Sequence, residues 1–255
     1  MRGEKISDAT FDSELVIKDM GPDVNASLVI TLKIYFEPIS TSQIADADSK
    51  MIRLLPWGEP DEYGAVVDFN VWTNDAVRKV SEYWNEKLWI KTPDSFNGLD
   101  WPDPGASATA RPNVHCGLRV VKAASIATAH AIVRVARLNP NIGYQEFRSK
   151  MLLWDSDDTL EYVMGTYKSM TAAHETGHIL GLHHIGGKSG PCPYTKPDGT
   201  GSPNVMGKGN EIWAENGDPW AKAMAAHTKD VTSYEDWKVD KWRFAPRRIV
   251  SGRVL

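Results

Sequence analysis

The chain is poor in cysteine, because only Cys116 and Cys192 occur among its 255 residues. Two cysteines cannot build a disulfide scaffold, although they could form one bridge or remain two thiols. A chain of this length buries enough surface to fold without a disulfide or a structural metal. The cysteine content therefore excludes the small disulfide-rich domains and leaves the state of this pair open.

The sequence also lacks an excess of charge of one sign, since 29 basic and 33 acidic residues leave a net charge of −4. Proteins dedicated to nucleic acids usually carry a strong basic excess, so we expect no nucleic acid among the partners. Hydrophobic residues make up 42% and charged residues 24% of the chain. These values are near the globular averages and exclude both a largely disordered chain and a fibre.

Long hydrophobic runs are missing as well. The longest weakly polar stretch, 125–138, is interrupted by His130, Arg134 and Arg137, whereas a membrane span needs about 20 apolar residues. We therefore expect no membrane span. The first residues contain no apolar core of the signal-peptide type. The localisation is unknown from sequence, with secretion, after removal of a leader or by another export route, favoured over the cytoplasm.

Apolar patterns and turn-forming residues predict strands mixed with helices. The predicted strands are 29–36, 66–72, 114–121, 130–138 and 150–154. The predicted helices are 74–89, 167–182, 220–227 and a short one at 234–242. The segment 130–138 could also be helical. Strands mixed with helices over the first 165 residues indicate an α/β layer.

Four of the seven histidines lie between positions 174 and 184. His174 and His178 are four residues apart, which places both on one face of a helix. Two imidazoles in that arrangement can bind one metal ion, and imidazole suits zinc. Glu175 follows the first histidine and points about 100° round the helix from it. Its carboxylate is thus expected beside the ion, where it can accept a proton during metal-assisted hydrolysis.

Gly181 comes three residues after His178 and can end the helix in a left-handed conformation. The turn would bring His184 toward the same ion as a third ligand. Three histidines leave a fourth position open for water, as in catalytic rather than structural zinc sites. The neighbouring His183 could compete for the ion, bond to a ligand or be exposed. Chance produces the whole pattern with a probability on the order of 10⁻⁵.

The segment HExxHxxGxxH resembles the metzincin clan of zinc endopeptidases, which also carry a methionine in a tight turn beneath the metal. Met206, within Asn-Val-Met-Gly, lies 22 residues past His184 and would be that methionine. The resemblance implies a metzincin-like α+β fold. Its upper subdomain would hold a twisted mixed β-sheet and two long helices, the second of which bears the first two ligands. A smaller, irregular lower subdomain would contain a C-terminal helix.

The resemblance also implies a division of the chain and a function. The implied parts are an N-terminal extension with a β-strand (1–50), the N-terminal catalytic subdomain (51–184) and the C-terminal subdomain (185–255). The implied activity is a zinc-dependent endopeptidase with one catalytic Zn²⁺ on His174, His178 and His184, and with Glu175 as the catalytic residue. Its substrate, a protein or peptide, would bind extended along an edge strand, for which 114–121 is the candidate.

Two departures leave the metzincin subfamily unassigned. Ile185, after the third ligand, matches none of the commonest families. Lys208 stands where astacins and serralysins carry an additional tyrosine ligand.

Several alternatives stay open from the sequence. The chain could be a non-catalytic zinc-bearing binding module, or the same protease delivered into a target cell as a toxin or effector. Asp155, Asp157 and Asp158 could hold calcium or form a turn and helix cap. The cleavage specificity and the oligomeric state are also open.

Overall fold

The computed structural model describes residues 4–17, 26–39, 54–85, 87–102, 109–110, 114–139, 149–164, 166–185, 202–229, 232–241, 249–250 and 253–254. Cys192 lies outside these residues, so the choice between a bridge and two thiols stays open. Cys116 itself is buried.

Short strands and three α-helices make up the regular structure of the described residues. The strands are β1 (Glu4–Ser7), β2 (Asp12–Val16), β3 (Ser27–Pro38), β4 (Leu88–Lys91), β5 (Trp101–Pro102), β6 (Thr109–Ala110), β7 (Val114–Lys122), β8 (Ala131–Ala136), β9 (Leu153–Asp155), β10 (Tyr162–Met164), β11 (Tyr167–Ser169), β12 (Lys238–Lys241), β13 (Ile249–Val250) and β14 (Arg253–Val254). The α-helices are α1 (Phe69–Trp84), α2 (Thr171–Ile179) and α3 (Asp218–His227), and 3₁₀ turns occur at Ile126–Thr128, Ala214–Gly217 and Tyr234–Asp236.

Eight of these strands form one twisted, mixed sheet, which confirms the α+β class. The strand order is β1-β2-β3-β7-β4-β12, with β8 paired to β3 and β9 paired to β8. The pairs β1–β2, β2–β3, β4–β7 and β4–β12 are antiparallel, whereas β3–β8 and β8–β9 are parallel. Of the two long helices that the resemblance implies, α1 has 16 residues and α2 only nine.

Strand β3 confirms the strand predicted at 29–36 and extends it at both ends. Its side chains alternate between buried and partly exposed positions, as the period of two requires. Leu28, Ile30, Leu32 and Ile34 are all fully buried. Further along the strand, Phe36 is also buried.

The chain divides into two compact units by its internal contacts. One comprises 1–32, 84–119 and 211–255, and the other comprises 33–83 and 120–210. In the second unit the ring of Phe36 meets Trp72 and Trp154 edge-on, with centroids 6.1 and 5.9 Å apart. The subdomains expected at 1–50, 51–184 and 185–255 stay a prediction, since 40–53 and 186–201 lie outside the described residues.

The strand predicted at 66–72 is wrong, because α1 begins at Phe69. The side chain of Asp68 accepts the N–H of Val71 at 2.9 Å and so caps the helix. The helix predicted at 74–89 therefore starts earlier and ends at Trp84. Its last predicted residues belong to β4 instead.

The strand pairs and the helix bounds confirm or correct the other predicted elements. Strand β7 covers the whole of 114–121 and ends one residue later, 130–138 contains β8, and 220–227 lies within α3. The strand predicted at 150–154 only overlaps β9. The helix predicted at 167–182 is shorter, since β11 pairs with β10 before α2 begins. The short helix predicted at 234–242 is wrong beyond Asp236, where β12 follows.

Strand β7 lies between β3 and β4 in the sheet, so 114–121 is not an edge strand. Further along β7, the N–H groups of Leu118 and Val120 donate to Asn85 Oδ1 and Ser81 Oγ at 2.7 and 2.9 Å. The prediction that this strand receives an extended substrate is therefore wrong. Within the described part of the chain, no helix combines the length and apolar character that a membrane crossing requires.

Candidate metal centre

Helix α2 carries the first two predicted ligands. It begins directly after the β10–β11 hairpin, and the Ala172 N–H of its first turn donates to the Asp158 carbonyl at 2.9 Å. Ala172, Ala173 and Thr176 are fully buried, so the helix is enclosed on more than one face. This enclosure holds His174 and His178 on a fixed support.

A glycine-dependent turn ends α2 as the sequence predicts. Gly181 has a φ of +92°, a conformation that side chains disfavour. Its N–H donates to His178 O, and the N–H of Leu182 donates to Gly177 O, both at 2.9 Å. These two bonds form a Schellman motif, after which the chain turns back and brings His184 to the helix.

The imidazoles of His174, His178 and His184 converge. The distance from His184 Nε2 to His178 Nε2 is 2.9 Å, and to His174 Nε2 it is 3.1 Å. One ring nitrogen from each residue lies within 4.8 Å of the others. Zinc–nitrogen bonds of about 2.0–2.1 Å in a tetrahedral site place the nitrogens about 3.3 Å apart, so the spacing suits a metal ion.

Hydrogen bonds to the second ring nitrogens fix how these imidazoles can bind. His174 Nδ1 lies 2.6 Å from the carbonyl oxygen of Val205, and His178 Nδ1 lies 2.9 Å from that of Leu182. A carbonyl oxygen only accepts, so each Nδ1 carries the proton and each Nε2 keeps a lone pair. His184 Nε2 carries at most one proton, so it can donate to only one of these two lone pairs. A cation between the three nitrogens would satisfy both lone pairs at once. The three histidines could therefore hold a metal ion.

Burial keeps these imidazoles neutral. It lowers the pKa of His174 to about 4, although the bond to Val205 acts in the opposite direction. Burial and the neighbouring histidines lower the pKa of His184 to about 4. Burial also lowers the pKa of His178. Neutral imidazole is the form that binds metals.

Glu175, which directly follows His174 on α2, is buried, with 8% of its surface exposed. Burial raises the pKa of its carboxyl group to about 7. The sequence predicted a carboxylate on the helix next to the first ligand, and the structure places a buried one there.

Met206 is buried in a tight turn. The turn is closed by the N–H of Gly207, which donates to Asn204 O at 2.8 Å. The carbonyl of Met206 accepts the N–H of Ile185, the residue after His184, at 3.3 Å. The predicted turn methionine thus lies in a segment that is bonded to both His174 and the chain beside His184.

The acidic loop at 155–158 is held by hydrogen bonds between its own residues. Asp155 Oδ1 accepts the N–H of Asp157 at 2.7 Å, and Asp158 Oδ2 accepts the N–H of Asp155 at 2.8 Å. Within the described ranges, the histidine trio is the one group of three or more acidic, histidine or cysteine side chains whose ligand atoms converge. The hydrogen bonds within the loop form the turn that was expected as the alternative to a calcium site, but no helix begins at Leu160 for it to cap.

His183, the neighbour of the predicted third ligand, is exposed, and the converging group contains His184 instead. Sequence reasoning missed the acceptors for the Nδ1 atoms, which are the backbone carbonyls of Val205 and Leu182. A backbone oxygen has no signature in a sequence. The Asn two residues before Met206 was a usable signal, because asparagine often bonds to the backbone two residues on.

No family model matches this chain, and neither a curated protein nor a solved structure matches it. The chemistry of the site must therefore be argued from its own geometry.

Proposed function

We propose that this chain is a zinc-dependent endopeptidase of the metzincin type, which hydrolyses peptide bonds in proteins or peptides. The convergence of one ring nitrogen from each of the three histidines within 4.8 Å supports this proposal most directly. Structural zinc sites use four protein ligands, whereas catalytic sites use three and leave one position open. Three histidines, with a buried carboxylate on the helix that carries two of them, match the catalytic arrangement.

The residues of the site have two roles, which are to bind the metal ion and to transfer protons. His174, His178 and His184 would hold the ion through the Nε2 atoms of their neutral imidazoles. When bound, zinc supplies a Lewis acid and lowers the pKa of water. Glu175 accepts the proton of the attacking water and delivers it to the leaving amine. The buried Met206 would provide the apolar surface that the metzincin resemblance implies beneath the ligands.

The test replaces Glu175 by alanine. We expect Glu175→Ala to bind one zinc per chain like the wild type, because the histidines are intact. Its rate of peptide hydrolysis should fall by about 10²–10⁴-fold, the usual contribution of a general base. Cleavage is measured on unfolded casein and on a peptide library, with a chelator control, and zinc by elemental analysis.

The exposed Glu62 offers a matched control, since Glu62→Ala removes a carboxylate away from the histidines in sequence and should cleave normally. Full activity of Glu175→Ala would show that Glu175 is not the base. If the wild type binds zinc and cleaves nothing, the chain is a non-catalytic zinc-bearing module.

A further inference from the structure

The turn around Met206 is organised by Asn204, which is fully buried. Its Oδ1 atom accepts the N–H of Met206 at 2.7 Å. Its carbonyl oxygen accepts the N–H groups of Gly207 and Gly209 at 2.8 and 3.2 Å. One side chain and one carbonyl of the same residue therefore fix the backbone on both sides of Met206.

The N–H that Asn204 holds and the carbonyl that His174 contacts belong to one peptide group. The carbonyl of Val205 and the N–H of Met206 lie in a single plane and point in opposite directions. When Asn204 Oδ1 holds the N–H, it also sets the direction of the carbonyl. That carbonyl lies 2.6 Å from Nδ1 of His174, so the orientation passes from Asn204 to the imidazole.

We infer that Asn204 is a positioning residue of the metal centre. By holding the Val205–Met206 peptide, it keeps His174 in the tautomer whose Nε2 can bind the ion. The inference rests on the zinc site of the proposed function, but it concerns metal binding and requires no peptidase activity. Loss of the partner of a histidine ligand, here the Val205 carbonyl that Asn204 orients, typically weakens metal affinity by about 10–100-fold.

Asn216 supplies a matched control. It is also a buried asparagine, 3% exposed, and its Oδ1 accepts the N–H of Trp213 at 2.7 Å. Asn216→Ala therefore removes the same kind of bond outside the 202–210 segment. Asn204→Asp keeps an oxygen acceptor for the N–H of Met206 and serves as the conservative variant.

The experiment measures zinc affinity by competition with a chelator, and the visible spectrum after loading with cobalt(II). We expect Asn204→Ala to bind zinc at least about 10-fold more weakly, with an altered cobalt spectrum. Asn204→Asp should recover most of the affinity, and Asn216→Ala should match the wild type. Equal affinity and an equal spectrum in Asn204→Ala would overturn the inference, as would an equal loss in Asn216→Ala.

A second measurement does not depend on the stability of any variant. Nitrogen NMR of the imidazoles in the metal-free wild type should assign the Nδ1–H tautomer to His174, and the Nε2–H tautomer would overturn the inference. A wild type that binds no zinc overturns both proposals. A wild type that binds zinc without cleaving peptides removes the peptidase proposal alone.

Discussion

Asp158 is a buried residue whose ionisation should change the stability of the fold with pH. Burial, followed by the charges of Asp155 and Glu175, raises its pKa from an ordinary 3.8 to about 8. A group with a raised pKa in the folded state contributes stability fully below the unfolded pKa. That contribution is lost as the pH rises through the folded pKa.

We therefore expect Asp158→Asn to gain stability relative to the wild type as the pH rises from about 4 to about 8. The amide cannot ionise and keeps an oxygen for the N–H of Asp155. Denaturant unfolding of both proteins across this range measures the difference. Asp157→Asn, at an exposed position of the same loop, is the control and should show little trend. If the difference in free energy of unfolding between Asp158→Asn and the wild type does not change with pH, the pKa of Asp158 is not raised in the folded state.

At the scale of secondary elements, the sequence predicts best where the determinants are local. The spacing of His174, His178 and Gly181 depends only on helix periodicity and on a left-handed residue, and both are observed. The start of α1 could not be predicted, because the strand propensity of 66–72 is overridden by the Asp68 cap. The start of α2 depends on the pairing of β11 with β10, which periodicity cannot indicate.

The turn at Gly181 offers a test of how the end of a helix positions a ligand. Its φ is +92°, and an added Cβ would meet no atom within 4 Å. Gly181→Ala should thus lose about 1–2 kcal/mol of stability through backbone strain alone. It should also weaken zinc binding, since the relaxed turn displaces His184.

Gly64 provides the control for that variant, with a φ of +82° and equally open surroundings. Gly64→Ala should lose similar stability in thermal unfolding and bind zinc like the wild type. If the two variants bind zinc equally well, the turn at Gly181 does not position His184.

At the scale of the whole molecule, the candidate metal centre lies within one of the two units. His174, His178, His184 and the 202–210 segment all fall in the unit formed by 33–83 and 120–210. The chain passes from one unit to the other within β3, α1 and β7, and once more between Asn210 and Glu211. Neither unit can therefore unfold without disrupting three elements that continue into the other, and we expect a single unfolding transition. The sequence could not indicate this division, because each unit is assembled from separate stretches of the chain.

The continuation of β3, α1 and β7 from one unit into the other predicts how zinc should affect the stability of the fold. A ligand that binds only the folded state stabilises it by about 2.7 kcal/mol at a concentration 100 times its Kd. We expect zinc to raise the melting temperature of the wild type in one transition, and to slow amide exchange in both units. His184→Ala should lose most of this rise because one ligand is gone. His183→Ala, which alters the exposed neighbour, should keep it. If zinc slows amide exchange only in the unit that holds the histidines, the two units unfold separately. If zinc raises the melting temperatures of His184→Ala and His183→Ala equally, His184 is not a ligand.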